Sequence, residues 1–324
     1  MQSFWISAEQ LAQLSNELSA AFVSPLPAFQ LLKIEGPDRQ KFLQGQITAD
    51  VELLTADNFL RTAHCDAKGK MWGTALLWQA GDTVFWLAFR DELQASVQQF
   101  KKYGVFSKAS FTDAQAEYAV FGIGGNDSAA LLTALGYPQP ASGQLQTVSG
   151  GFLLGLAPDH FVLVLAHPAA NQLMQAHPDK LAAPTRWLAQ QIQHGMPFLE
   201  QALIGEYIPQ QLNLQALDAI SFSKGCYMGQ EMVARTKYRG INKRAMFLLS
   251  AQTDHTPTAG TDIEIALGDN WRRSGVVVNA VNIAGQLQLL AVLPNDISAD
   301  DQFRLADDEQ TSVKLQPLPY SITH

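Results

Sequence analysis

Short apolar segments of strand length recur through the first 240 residues of the chain. The segment "FQLLKIEG" (29–36) predicts one strand, and "KMWGTALLW" and "TVFWLAF" predict a hairpin that turns at residues 80–82. Further strands are predicted at 118–123, 152–156 and 161–165. Periodicity alone leaves open how these strands pair.

Helical patterns interrupt the strands. Ser7 and Gln10 form a capping box that predicts the first helix. Its apolar stripe consists of Leu11, Leu14 and Leu18. Asp91 and Thr185 are the expected N-caps of two later helices, each with apolar residues along one side. Because helices and strands mix throughout this part of the chain, we predict an α+β body.

The pattern changes after Gly240, where the helical period stops. Short apolar segments follow at regular spacing: "RAMFLLSA", "DIEIAL", "SGVVVNAV", "QLQLLAVL" and "SVKLQPL". Such segments, separated by Gly, Asn and Asp, are typical of a small antiparallel barrel. The sequence therefore predicts an α+β body over residues 1–242, which could divide into two subdomains near residue 115, and a C-terminal β-barrel over residues 243–324.

Composition limits the compartment and the class of protein. The chain has 324 residues, 47% apolar and 16% charged, which suffices for two domains at roughly 150 residues each. Two cysteines cannot form a disulfide framework, and no lysine or arginine precedes Lys33, where a signal or transit peptide would need them. No apolar run approaches the roughly 20 residues of a membrane helix. We expect a cytoplasmic protein with free thiols and no membrane partner.

The charge of the chain is unevenly distributed. Its net charge of −8 argues against bulk attraction to nucleic acid, and DNA is not an expected partner. Residues 224–244, however, carry six basic residues against one acidic residue, Glu231, so that this segment has a charge of +5 and the remainder −13. We call residues 224–244 the basic segment. It would favour an anionic partner locally, although scattered surface ion pairs explain it equally well.

Two motifs that suggest a cofactor or a metal are better explained by structure. "GIGGND" (122–127) lacks the third glycine of a dinucleotide-binding turn, because Asp127 stands there. In "HCDAKGK" (64–70), neighbouring side chains on a strand point to opposite faces, so His64, Cys65 and Asp66 cannot close on one metal without a bend. Cys65 is expected to be a buried small residue, and a disulfide to Cys226 is left open.

The segment "SFSKGCYMGQEMVARTKYRG" (221–240) places Cys226 in a turn between Gly225 and Gly229. A thiol reacts as its thiolate, which nearby cations and helix N-termini favour. Lys224 is the first candidate cation and Arg235 the second, and "QEMVAR" could start a helix just after the turn. Glycine permits backbone conformations with positive φ and close approach of a ligand. By composition alone, a reactive and an inert Cys226 are equally compatible with this pattern.

The motif "KGCYMGQE" matches the signature K-G-C-[FY]-x-G-Q-E of the YgfZ family of folate-binding, tRNA-modification-related proteins. The resemblance extends over essentially the whole chain. It is carried in the expected order by "HCDAKGKMW", "KKYGVFSK", "IPQQLNLQALDAISFSKGCYMGQEMVAR", "RGINKRA", "NWRRSG" and "PLPYSI". The resemblance implies a folate-binding body similar in fold to the aminomethyltransferase of the glycine cleavage system, followed by a C-terminal barrel.

The resemblance also implies a function and a set of site residues. Family members are implicated in tRNA modification and in maintaining iron–sulfur enzymes, and the signature cysteine, here Cys226, is treated as functionally important. Two aromatic positions of the family are associated with folate. Trp187 in "TRWLAQQI" matches one, whereas Phe29 replaces the tryptophan that opens "FQLLKIEG" in the family. A phenylalanine can still stack on a pterin or benzoyl ring, with a smaller face and no indole N–H.

Three functions follow from these observations. The first is a folate-binding protein that supports iron–sulfur-dependent tRNA modification, with Cys226 as its reactive or cluster-contacting group and Lys224 as the neighbour that activates it. The second is a tetrahydrofolate-dependent one-carbon transferase, which needs an acid–base group beside the folate that the sequence does not reveal. The third is a non-catalytic adaptor whose basic segment binds tRNA or an iron–sulfur enzyme.

Overall fold

Two antiparallel sheets that face each other form the body of the computed structural model, which describes residues 5–17, 20–240, 242–298 and 300–322. The strands of the body are β1 (Phe22–Pro25), β2 (Phe29–Glu35), β3 (Leu60–Cys65), β4 (Met71–Ala80), β5 (Thr83–Phe89), β6 (Ser110–Asp113), β7 (Tyr118–Gly124), β8 (Leu145–Val148), β9 (Gly151–Ala157) and β10 (His160–Ala166). The first sheet has the order β1-β7-β10-β9-β8, and the second has the order β3-β4-β5-β2-β6.

Helices alternate with these strands along the chain. They are α1 (Ala8–Ala12), α2 (Arg39–Gln46), α3 (Arg90–Tyr103), α4 (Ser128–Ala134), α5 (His167–Ala176), α6 (Pro184–Gln193) and α7 (Gln230–Arg239). Single 3₁₀ turns lie at Val51–Leu53, Pro178–Lys180, Gln201–Leu203 and Pro209–Leu212. The apolar faces of α2 and α3 pack on the second sheet, and those of α4 and α5 pack on the first. The body is therefore α+β, as the sequence predicts.

The inner faces of the two sheets share one core. Leu31, Trp78 and Phe85 of the second sheet pack against Phe152 and Val162 of the first, and all of them are at least nine-tenths buried. The predicted hairpin is present as β4 and β5, in register Ala80↔Thr83, with Gly81 at a φ of 57° in its turn. Burial of both faces of each sheet explains why the strands carry apolar residues at nearly every position.

Some predicted helix ends are wrong. The capping box of Ser7 and Gln10 is present, but α1 ends at Ala12, before Leu14, and Leu18 lies outside the described residues. Asp91 does not cap α3, whose N-cap is Phe89, because Glu92 accepts a hydrogen bond from the Phe89 N–H. Likewise Thr185 does not cap α6. That helix begins at Pro184, whose fixed φ suits the first helical position.

The C-terminal part of the chain is a closed antiparallel barrel. Its strands are β11 (Arg244–Gln252), β12 (Asp262–Leu267), β13 (Asn270–Ile283), β14 (Gln286–Pro294), β15 (Phe303–Leu305) and β16 (Ser312–Gln316). They close in the order β11-β14-β13-β12-β15-β16. The predicted barrel is thus confirmed. Strand β15 was missed because three residues are too few to show a period, and β13 begins earlier than the pattern indicates.

The body and the barrel share a second core. Ile192 and Leu199 of the body pack with Met246, Val278 and Leu290 of the barrel, and all are buried. Buried amides also join the two parts, since Asn279 donates to the Phe198 carbonyl and accepts from its N–H, at 2.9 and 3.2 Å. Asn213 does the same to the backbone of Met246, at 2.7 and 3.2 Å. The predicted division at residue 242 stays a prediction.

Among the described residues, none of the helices has the length and hydrophobicity required to cross a membrane.

Candidate functional site

A cavity lies between the two sheets of the body, where α6 and the segments 196–198 and 214–219 close one end. Its volume is about 70 Å³. Its walls are mainly apolar and aromatic. The residues that matter below are Phe29, Arg61, Thr74, Phe89, Glu92, Trp187, Gln191 and Phe198. A concave apolar site with a few polar groups is the usual form of a small-molecule site.

The structure brings Phe29 and Trp187 together in this cavity. Their ring centroids are 5.4 Å apart with planes at 83°, and Phe89 and Phe198 lie at 5.7 and 5.9 Å from Phe29. Phe29 is half-buried, at the start of β2. The sequence placed these residues in separate elements, and only the packing of α6 over the sheets makes them neighbours.

The indole of Trp187 is held more tightly than the sequence suggested. It is 1% exposed, its Nε1 donates to the Phe161 carbonyl at 3.0 Å, and the His160 ring stacks on it at 4.5 Å. Gly122 lies directly against it, since a Cβ there would come within 2.1 Å of the indole. Only a small part of the ring therefore faces the cavity.

The cavity wall also carries polar groups that the sequence analysis missed. The Arg61 guanidinium donates to the Leu156 carbonyl at 2.7 Å, and burial lowers the pKa of Arg61, an effect that the charge of Asp218 opposes. Gln191 contributes an amide whose Oε1 lies 2.7 Å from His160 Nε2. A lone arginine in the apolar segment "NFLRTAHC" was the available signal for Arg61, because an arginine is seldom placed in a strand core without a polar role.

Glu92 is the buried carboxyl of the cavity. Its Oε1 accepts from the N–H and hydroxyl of Thr74 at 2.8 and 2.9 Å, and its Oε2 accepts from the Phe89 N–H. The backbone of Leu199 is a further hydrogen-bond partner. Burial raises the pKa of Glu92 to about 8, and these hydrogen bonds oppose the shift. The carboxyl thus ties α3, β4 and the 197–200 segment together.

Cys226 lies on the surface, in a turn that is fastened to the end of α2. The Ser221 N–H donates to the Thr48 carbonyl at 2.8 Å, and the Met228 N–H donates to the Gly45 carbonyl at 3.0 Å. Cys226 itself is exposed and forms no disulfide with Cys65. Both thiols are therefore free in this structure, and Cys226 is the accessible one.

Lys224 points into the body from this turn. Its Nζ donates to the Ile47 and Ala49 carbonyls at 3.0 and 2.6 Å, and it lies 5.2 Å from the centroid of the Tyr227 ring. Burial lowers the pKa of Lys224 to about 8, with the charges of Asp50 and Glu52 opposing. The ammonium is thus bound to two backbone carbonyls. Its predicted action on Cys226 stays a prediction.

The two glycines that flank Cys226 differ. Gly229 has a φ of 83° and immediately precedes α7, and a Cβ there would lie 2.5 Å from the Asp66 carbonyl oxygen and 3.2 Å from Cys65 Cβ. Gly225 does not have a positive φ, and a Cβ there would meet open space. Only Gly229 is therefore required by its conformation. Its contacts also show that the turn of Cys226 packs on the "HCDAKGK" turn, which the sequence linked to it only through a possible Cys65–Cys226 disulfide.

The basic segment is less free than its charge suggests. Lys224 is buried, Arg244 donates to the Ser274 carbonyl at 3.1 Å, and Arg235 lies 3.4 Å from Glu231. Lys237 lies 3.8 Å from the centroid of the Phe222 ring. The side chain of Arg239 lies outside what the structure describes. Several of these cations are thus engaged within the protein.

Cys226 and the cavity are separate sites. Cys226 does not line the cavity, although the chain from the cavity-wall residue Ala219 runs to Cys226 within seven residues. In the described ranges, no group of three or more His, Cys, Asp or Glu side chains is arranged to hold a metal ion. The arrangement offers an enclosed aromatic site for a small molecule and an accessible thiol at the surface.

Comparison with known proteins adds relatives that span nearly the full chain. The family model of the YgfZ beta-barrel domain matches residues 242–308. The tRNA-modifying protein YgfZ of Serratia proteamaculans is 41% identical over 315 residues, which is 95% of this chain and 94% of that protein. The tRNA-modifying protein YgfZ of Yersinia enterocolitica is 40% identical over 315 residues, 95% of each chain.

A solved structure of known fold is also similar. The glycine cleavage system aminomethyltransferase T of Bartonella henselae superimposes with a TM-score of 0.72 and covers 93% of this chain and 86% of its own. At 15% sequence identity this likeness concerns the fold. The predicted aminomethyltransferase-like fold is thereby confirmed.

Proposed function

The chain belongs to the YgfZ family of tRNA-modifying proteins, and from that premise we propose that it is a folate-binding protein that supports tRNA modification and the maintenance of iron–sulfur enzymes. In this proposal folate binds in the aromatic cavity of the body, and Cys226 acts at the surface as a reactive thiol. The iron–sulfur clusters belong to the enzymes that the protein supports. The work takes place in the cytoplasm, where both thiols stay reduced.

The observation that supports folate most directly is the aromatic wall of the cavity. Phe29 and Trp187 lie 5.4 Å apart, and Arg61 and Gln191 line the same space. Flat pterin and benzoyl rings suit the aromatic side chains, and the carboxylates of folate suit a guanidinium. The chemistry of the lining therefore suits this ligand, and the cavity, at about 70 Å³, has to widen to admit it. When bound, tetrahydrofolate would supply or accept a one-carbon unit.

Binding of tetrahydrofolate to the purified chain tests this proposal. Phe29→Ala should weaken binding about tenfold, because it removes an aromatic contact worth on the order of 1 kcal/mol, whereas Phe29→Trp should preserve or tighten it. Trp187→Phe should remove most of the fluorescence change on binding, since the indole lies in the cavity wall. Calorimetry gives the affinities, and fluorescence gives the location.

The matched control is Phe247→Ala, which removes a half-buried phenylalanine from the barrel. It should leave the affinity unchanged. If Phe29→Ala and Phe247→Ala bind tetrahydrofolate with equal affinity, the ligand does not bind in the aromatic cavity.

Glu92 gives a specific reason to keep a second candidate, a tetrahydrofolate-dependent one-carbon transferase. It is a carboxyl in the cavity wall with a pKa raised to about 8, which suits an acid–base group at neutral pH. Its oxygens, however, are already engaged by Thr74 and Phe89. We therefore favour a structural role. Turnover of an aminomethyl donor or of formaldehyde by the wild type, lost in Glu92→Gln, would favour the transferase.

A further inference from the structure

The last residues of α3 and the turn that follows them expose apolar side chains that contribute nothing to a core. We call residues 101–108, "KKYGVFSK", the 101–108 loop. Phe106 is 99% exposed, Val105 is 68% exposed and Tyr103 is 41% exposed. A soluble protein tolerates single exposed apolar residues, but a contiguous group of them indicates an interaction site.

The 101–108 loop is held in place by its backbone. The Gly104 N–H donates to the Phe100 carbonyl at 2.8 Å, and the Ser107 N–H donates to the Gly104 carbonyl at 2.9 Å. The Lys108 N–H donates to Asp38 Oδ2 at 2.8 Å, just before α2. Phe106 is therefore presented on an anchored turn. A backbone that is already ordered loses less entropy when its side chains bind a partner.

Lysines surround the exposed rings. Lys101, Lys102 and Lys108 are exposed, and among the described residues no carboxylate lies within ion-pair distance of any of them. Lys102 Nζ lies 5.2 Å from the Tyr103 ring centroid. The nearest acidic anchor, Asp38, already accepts a hydrogen bond from the loop backbone. The loop thus combines exposed rings with three cations available to an anionic partner.

This combination favours RNA over a protein partner. The cores of protein interfaces are depleted in lysine, whereas sites for unpaired nucleic acid combine aromatic stacking with lysines that neutralise phosphates. We propose that the 101–108 loop binds an unpaired stretch of RNA, with a base stacked on Phe106 and phosphates on Lys101, Lys102 and Lys108. This inference rests on the proposed function, which makes tRNA the molecule acted upon.

Helix α2 links this loop to Cys226. Asp38, which precedes α2, holds the 101–108 loop, and the Gly45 carbonyl near the end of α2 accepts the hydrogen bond from Met228 in the turn of Cys226. Eight helical residues span about 12 Å at 1.5 Å per residue. The loop and the turn of Cys226 are therefore anchored near opposite ends of one helix, about 12 Å apart along its axis.

The test measures binding of bulk tRNA, single-stranded oligouridylate and duplex RNA to the purified full chain. Phe106→Ala should weaken binding of tRNA and of the single strand about tenfold, whereas Phe106→Trp should retain it and report it by quenched emission. Replacing Lys101, Lys102 and Lys108 by Gln should reduce the slope of log K against log salt by about 2, at roughly 0.7 per phosphate contact.

Two control variants match these changes. Leu267→Ala removes an exposed apolar side chain of the barrel, 48% exposed. The triple replacement of Lys180, Arg272 and Lys314 by Gln removes the same charge at other exposed positions. Both controls should leave tRNA affinity and the salt slope near the wild-type values, because neither touches the 101–108 loop.

Several outcomes would overturn the inference. The first is that the wild type binds no tRNA, and the second is that Phe106→Ala binds tRNA with wild-type affinity. The third is that Phe106→Ala weakens only the binding of vesicles of anionic phospholipid. Restoration of tRNA modification in cells that lack the chain tests the proposed function separately. If the wild type restores modification but Phe106→Ala binds tRNA normally, only the role of the loop is wrong. If the wild type restores nothing, the proposed function itself fails.

Discussion

At the scale of single residues, the largest difference between Cys226 and Cys65 is the solvent exposure of their thiols. Cys226 is exposed, whereas Cys65 is fully buried, and burial together with the charge of Asp66 raises the pKa of the Cys65 thiol. A thiol that is buried and protonated reacts slowly with alkylating reagents. The contrast makes the reactivity of the two cysteines measurable in one sample.

We expect iodoacetamide to label Cys226 well before Cys65 in the folded protein at neutral pH, as residue-resolved mass spectrometry would show. Cys226→Ala should leave folding intact and abolish support of iron–sulfur-dependent tRNA modification in cells, whereas Cys65→Ala should keep it. If Cys65 is labelled first, the turn is structural. A Cys226→Ser protein with full activity in cells would favour the adaptor function instead.

Lys224→Met separates two ways in which Lys224 can act on the thiol. If its charge favours the thiolate, labelling of Cys226 should slow at neutral pH but not at a pH where the thiol is fully ionised. If Lys224 only fastens the turn to the Ile47 and Ala49 carbonyls, the free energy of unfolding should fall and the pH dependence of labelling should not change. We expect labelling of Cys226 to slow at neutral pH in Lys224→Met, and we also expect some fall in the free energy of unfolding.

His64 should make the fold lose stability in acid. Its ring stacks on Phe100 at 4.4 Å, and neither ring nitrogen has a hydrogen-bond partner among the described residues. Burial lowers the pKa of His64 to about 3, from 6.5 in an unfolded chain. The unfolded chain therefore takes up the proton first. The stabilisation is complete above about pH 6.5 and is lost progressively as the pH falls toward 3.

His64→Phe should remove this dependence. Between pH 6.5 and 4.5, the free energy of unfolding of the wild type should fall more steeply than that of the variant, by about 1.4 kcal/mol per pH unit. His160, with a pKa also lowered to about 3, and Glu92, with a pKa raised to about 8, titrate in both proteins and cancel in the difference. Urea unfolding at several pH values gives the slopes. Parallel slopes would contradict the prediction.

The residue scale is also where sequence reasoning was least complete. Phe29, Trp187 and the Cys226 turn were singled out from motifs, but nothing in their spacing indicates that the first two share a cavity or that Cys226 lies outside it. Arg61 was missed although its place in an apolar segment was a signal, and Glu92 was missed because a glutamate in the first turn of a helix is usually exposed. The roles of both depend on partners distant in sequence.

At the scale of secondary-structure elements, Gly229 determines how the turn of Cys226 joins α7. Gly229→Ala should lower the free energy of unfolding by about 2 kcal/mol or more, because an alanine at a φ of 83° is strained and its Cβ would overlap the Asp66 carbonyl. Gly225→Ala is the matched control and should be nearly neutral, since a Cβ there meets open space. If urea unfolding shows that Gly229→Ala and Gly225→Ala lower the free energy of unfolding equally, this account is wrong.

Elements with a clear period were predicted well. The hairpin β4–β5, strand β2 and most barrel strands follow directly from short apolar segments bounded by turn residues. Helix ends were less reliable, because a proline at the first position or a glutamate at the third outweighed the expected caps at Thr185 and Asp91. The pairing of the strands into two sheets was not predictable, since both sheets bury both faces and their strands look alike in sequence.

At the scale of the whole molecule, we expect the body and the barrel to fold as one unit. Residues 1–242 and residues 243–324, produced separately, should each bind a hydrophobic dye and aggregate, because each would expose its half of the shared core around Leu199 and Val278. Production of both pieces together should restore a soluble complex. Size-exclusion chromatography and circular dichroism give the readout. Two pieces that fold independently would contradict this expectation.

Asn279→Ala probes the same coupling in the intact chain. It would leave the N–H and carbonyl of Phe198, a cavity-wall residue, without their partners, at a cost of roughly 1–3 kcal/mol for each buried group left unsatisfied. We therefore expect lower stability together with weaker binding of tetrahydrofolate. Asn282→Ala, in the same strand but bonded within the barrel, is the control and should affect stability alone.

The shared core has a consequence for synthesis on the ribosome. The body emerges first, and the apolar side chains of Ile192, Leu199 and Leu212 must wait for strands β11, β13 and β14 to cover them. At 5–20 residues per second, the last 82 residues take roughly 4–16 s to translate, during which this surface is open to chaperones and proteases. Early termination within the barrel should therefore yield a product that the cell degrades, even though every residue of the proposed folate cavity has already been made.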